Sequence, residues 1–138
     1  MSHIPGRRDR DATFEAIRSS PEWRSYVQLI DGWYRQPISE ATGIAADELN
    51  SLEQEGGRPL PDLMWEWYRL FGAHESLADE TCTDYVMPIE RVWGESGSLR
   101  IYGENQDIWY CCILDADLGQ PDPPVYFDSQ GIPAEEWD

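Results

Sequence analysis

A chain of 138 residues, 41% hydrophobic and carrying seven Trp, suits one domain with its own core and is too apolar for a disordered polypeptide. Its 27 acidic residues face 10 basic ones, all of them Arg, for a formal net charge of −17. A field of that sign repels nucleic acid and anionic membrane and draws a basic partner, although acidic surfaces also serve solubility alone.

The charge is uneven. Residues 1–73 carry 12 acids and 8 Arg, a net of −4; residues 74–138 carry 15 acids and 2 Arg, a net of −13. Residues 1–19 read as a flexible N-terminal segment, with Arg7, Arg8 and Arg10 interrupted by acids and the first ten residues frayed. No apolar run follows MSHIPGRRDR, so no signal peptide is expected. The longest apolar run, 108–114, is far shorter than the roughly 20 residues of a membrane helix. Cys82, Cys111 and Cys112 are odd in number and include an adjacent pair, which suits reduced thiols. A cytoplasmic protein with no disulfide is expected.

The first helix is expected to open at Ser20-Pro21 and end at Pro37, with Trp23, Tyr26, Val27, Ile30, Trp33 and Tyr34 at helical spacing. That stripe reads as core, with a partner groove as the alternative. A second, short helix over 45–55 stops at Gly56-Gly57. Pro61 opens a third, with Asp62 in its first turn and Gly72 as its stop. Leu63, Met64, Trp67, Tyr68, Leu70 and Phe71 supply its buried face. Trp65 sits about 200° around the helix from Trp67. Trp65 is therefore either an exposed partner contact or a sign of a broad buried surface.

Residues 73–84 read as a loop, after which the apolar period becomes that of strands. Strands are expected near 85–93, 99–102, 108–114 and 124–127, with Pro88 marking the first as irregular or an edge. The segments 94–97 and 103–107 read as hairpin connections. The run 108–114, apolar on both faces, suits a central strand covered by helices. Together these predict one α+β domain, N-terminal helices packed on a C-terminal antiparallel sheet of about four strands.

No catalytic constellation emerges. The two His, His3 and His74, lack the close Cys or His partners of a zinc site. Asp115, Asp117 and Gly119 only faintly echo a calcium loop, with Gln120 and Tyr126 where its glycine and closing Glu belong. Nucleophilic catalysis lacks an oriented base, and no glycine-rich phosphate loop occurs. Carboxylate pairs are unavoidable among this many acids, so they point to no glycosidase. No enzyme activity, metal or cofactor is expected.

Two segments carry a resemblance. Leu60, Pro61, Trp67, Tyr68, Phe71 and Gly72 form the first. Tyr102, Asn105, Gln106, Trp109, Pro124 and Tyr126 form the second and more specific one. Together they resemble the SUKH superfamily, whose founding members are fungal cell-wall assembly regulators of the Smi/Knr type. The resemblance implies a binding protein: in bacteria, an immunity protein that blocks a toxin, often a nuclease; otherwise a regulatory or scaffold module. It also implies a C-terminal helix after the last strand, short of which this chain stops at Trp137-Asp138. The expected partner is a toxin domain with a basic surface, not nucleic acid or membrane. Candidate contacts are Trp65 and an acidic rim of Glu104, Asp107, Asp115, Asp117, Asp122 and Asp128, brought together by loops at one end of the sheet.

Overall fold

The computed structural model describes residues 12–77, 85–93, 97–104, 106, 108–120 and 122–129. Four α-helices come first among them: α1 (Phe14–Arg18), α2 (Arg24–Trp33), α3 (Ala46–Gly56) and α4 (Asp62–Phe71). Four strands follow: β1 (Tyr85–Val86), β2 (Ser98–Gly103), β3 (Trp109–Leu114) and β4 (Tyr126–Ser129). They pair antiparallel in the order β1-β2-β3-β4. This is the α+β arrangement expected from the change of period along the chain. Of the expected elements, Asn105, Asp107, Cys82 and the first and last residues lie outside the described residues.

Within the segment expected to be flexible, residues 14–18 form α1. Thr13 caps α1, its side chain accepting the N–H of Ala16 at 3.1 Å. Phe14 and Ile17, one turn apart, are buried in the main core. Ser20 does not cap α2. Its hydroxyl donates back to the Ile17 carbonyl at 2.7 Å, and its own carbonyl accepts from Trp23 and Arg24. Residues 21–23 are therefore a turn, and α2 begins three residues beyond Pro21. α3 ends as expected: Gly57 follows it in the left-handed region at φ 72°, where glycine carries no Cβ penalty.

α4 settles the position of Trp65. Trp65, Glu66, Tyr68, Arg69, Leu70 and Phe71 are all buried, so the helix buries a broad arc rather than one stripe. Trp65 is only 2% exposed and its indole N–H reaches Asn50, which excludes it as a surface contact. Leu63, expected inside, is exposed. Trp67 is half-buried and meets Phe71 edge-on. The N-terminal approach is pinned by Leu60, whose N–H donates to the Glu53 carboxylate at 2.6 Å.

Gly72 ends α4, but for reasons of space. Its backbone is right-handed, at φ −63°. A Cβ there would stand 2.7 Å from the Ile44 side chain and 2.7 Å from the Tyr68 carbonyl. The segment 42–44 runs against this helix end and donates to its carbonyls. Ile44 N–H donates to Tyr68 at 3.0 Å, and the Thr42 hydroxyl to Leu70 at 2.9 Å.

The first expected strand is cut short. β1 is two residues long; after Pro88 the chain turns into a 3-10 helix, Ile89–Arg91. Proline cannot donate to a ladder, so pairing stops there. The helices cover the sheet face that carries Tyr85, Tyr110 and Cys112, all in the main core with Leu49, Leu60, Trp65 and Phe71.

Candidate binding surface

Strand alternation puts Tyr110 and Cys112 of β3 toward the helices and Trp109 and Cys111 on the other face. Across the ladder, Tyr102 of β2 and Phe127 of β4 lie opposite Cys111, on that same outer face. Their rings form one row. Tyr102 stacks on Trp109 with centroids 6.3 Å apart, and Trp109 meets Phe127 edge-on at 5.2 Å. Phe127 is 53% exposed, and Ile108 and Val125 beside the strands are exposed too. Trp109 is thus half-buried among neighbours on its own sheet face rather than in the core that holds Phe71. The far end of this face is closed, with Leu99 and Ile113 buried.

The acidic candidates do not form one rim. Glu104 lies at the β2–β3 turn, its carboxylate accepting the N–H groups of Gln106 at 3.0 Å and Ile108 at 3.2 Å. Asp115, Asp117 and Asp122 lie at the opposite end of β3, beyond Leu114. Six residues of strand, about 20 Å, separate the two groups. Asp115 pairs with Arg58 at 3.1 Å. Asp117 accepts from the Gln120 side chain at 2.9 Å. Asp128 points to the inner face and is mostly buried beside Arg100, 4.0 Å away. Only Asp122 is exposed among the described members; the others are half-buried.

Of the motif residues, Leu60, Tyr68 and Phe71 are core, and Pro61 and Gly72 bound α4. Tyr102 and Trp109 build the aromatic row. Gln106 is exposed in the turn, Pro124 is exposed before β4, and Tyr126 is half-buried opposite Cys112.

Sequence reasoning missed Arg58. Its guanidinium donates to the carbonyls of Ser98 and Trp93, at 2.6 and 2.9 Å, as well as to Asp115. It also missed Phe127 as a surface ring; the two-residue period of 126–129 was the available signal. Burial raises the pKa of the Cys111 thiol. The Cys112 thiol is pushed up to about 12, first by burial and then by the Asp128 carboxylate. Neither is a ready nucleophile, since the thiolate is the reactive form. Among the described residues no group of three or more His, Cys, Asp or Glu is placed to hold a metal ion. No helix among them is long and apolar enough to cross a membrane. Comparison with protein-family models, with curated proteins and with solved structures finds no match.

Proposed function

We propose that this chain is a non-enzymatic immunity protein that neutralises a toxin domain by seating its acidic sheet half in the toxin's basic active cleft. The observation that supports the reading is the Tyr102–Trp109–Phe127 row on the sheet face opposite Tyr110 and Cys112, with Phe127 exposed. It lies in the half of the chain whose net charge is −13. Aromatic rings supply area whose burial stabilises a complex, and tend to be its energetic centre. Acids around them steer a cationic surface into place and act mainly on the rate of encounter. A nuclease groove, positive because it holds phosphates, has the matching chemistry.

The test is co-expression with the toxin domain encoded beside this chain's gene. Growth should be restored by the wild-type chain and not by Phe127→Glu, whose side chain is exposed enough to leave the fold intact. Undiminished toxicity in the presence of the wild-type chain would refute the proposal. Binding without inhibition would favour a regulatory or scaffold module instead.

A further inference from the structure

α2 is apolar on two sides. Its inner side holds Val27, buried, and Trp23, Ile30 and Tyr34, partly buried. On the adjoining flank, about 100° further round the helix, Tyr26, Leu29 and Trp33 are 59%, 65% and 79% exposed. Steps of 100° per residue place these three within about 60° of one another, so they form one strip. The core reading of Tyr26 and Trp33 from spacing alone is thereby corrected.

Two features set this strip apart. The charged residues of α2, Arg24 and Asp31, fall away from it; Asp31 accepts the N–H of Ile38 at 2.7 Å and faces Arg18 at 3.6 Å. From Ser25 to Trp33 the strip carries no charge, in a chain where 27% of residues are charged. Gly32 lies along its flank, and a Cβ there would meet nothing within 4 Å. Glycine weakens a helix relative to alanine, and nothing among the described residues requires it here. A second backbone approaching closely would require it.

We propose that this strip, Tyr26, Leu29 and Trp33 beside Gly32, is the contact through which two copies of the chain pair about a two-fold axis. The occupant follows from charge and symmetry. Two bodies of net charge −17 repel except where their facing surfaces are neutral. Residues 12–36 are neutral in sum, with Glu15, Glu22 and Asp31 against Arg18, Arg24 and Arg35. A cationic partner is drawn to the sheet half instead. The strip also reads ring, Leu, ring in either direction, so an antiparallel copy matches it ring to ring. Antiparallel pairing sets Tyr26 of each copy against Trp33 of the other, with the two Leu29 side chains meeting at the axis. It also brings Glu22 of one copy toward Arg35 of the other. One helix offers less than the roughly 800 Å² per partner of a standard interface, so the dimer is weak and reversible. This inference does not depend on the partner assigned to the sheet.

Sedimentation equilibrium of the full chain tests it, from about 1 to about 200 μM at about 0.05 and about 0.5 M NaCl. The wild type should show a monomer–dimer equilibrium that tightens with salt, as screening removes repulsion between like-charged bodies. Trp33→Glu and Gly32→Leu should each weaken it by about tenfold or more, with unchanged circular dichroism. Phe127→Glu should leave it as in wild type. A monomer throughout, a dimer insensitive to Trp33→Glu, or a dimer lost with Phe127→Glu would each overturn the proposal.

Discussion

Phe71 illustrates what single side chains contribute here. It is 1% exposed, with Trp23 and Trp67 edge-on against it. Truncation leaves a cavity that these rings cannot fill, so Phe71→Ala should cost about 3–5 kcal/mol in urea unfolding. A loss below about 1 kcal/mol would contradict the packing described. Cys111 and Cys112 separate by face. In a Cys82→Ser background, native alkylation should modify Cys111 well before Cys112, which is fully buried; equal rates would refute that. Cys112 also makes stability depend on alkaline pH. Its pKa rises on folding from an ordinary 9.0 to about 12, so the folded state holds the proton more tightly. That contribution is complete below pH 9.0 and is lost as pH climbs toward about 12. Tyr68, raised by burial and by Glu90, and donating to the Met87 carbonyl, acts in the same direction. The urea midpoint should therefore fall above pH 9.0, and fall less in Cys112→Ala.

At the level of elements, the helices were legible where local chemistry decides them. Gly56-Gly57 ended α3, and Pro61, Asp62 and Gly72 bounded α4. Which residues those helices bury was less legible. Leu63 came out exposed, and Trp65 took the buried one of its two readings, because α4 is wrapped on more than one side, and wrapping depends on neighbours distant in sequence. α1 was passed over because five residues carry too short a period, although Thr13 was a visible cap. β1 was overdrawn because the apolar run continues through Pro88 while the ladder cannot. Arg58 was invisible in sequence, since its partners lie 35 to 57 positions away. It ties the turn after α3 to both ends of the 93–98 connection and to Asp115. Removing it leaves two carbonyls and a carboxylate without this donor. Arg58→Met should cost about 1.5–3 kcal/mol. Lysine cannot reproduce the fork and should rescue less than half of that loss. Full stability in Arg58→Lys would show that charge, not geometry, matters.

Across the whole molecule, the two halves differ in charge and in what they leave open. The α+β architecture followed from the order of periods in the sequence, helical first and then alternating. The candidate surface was only partly legible. Counting acids located the more acidic half of the chain, but side-chain type alone does not say which acids fold back on Arg58, Arg100 or a turn. Trp109 and Tyr102 were singled out by motif, while their joint outward face needed the strand register. The acids at the two ends of β3 flank the aromatic row rather than forming one rim. Glu104→Arg and Asp122→Arg should thus each slow association with a cationic toxin, most at low salt, and alter dissociation little.

The most direct measurement is the binding kinetics of the purified chain with the toxin domain encoded beside its gene, comparing wild type with Phe127→Glu. The account predicts dissociation faster by about tenfold or more in Phe127→Glu, with an unchanged urea midpoint. A Phe127→Glu variant that binds and protects as wild type does would contradict it, and would remove the outer sheet face as the contact.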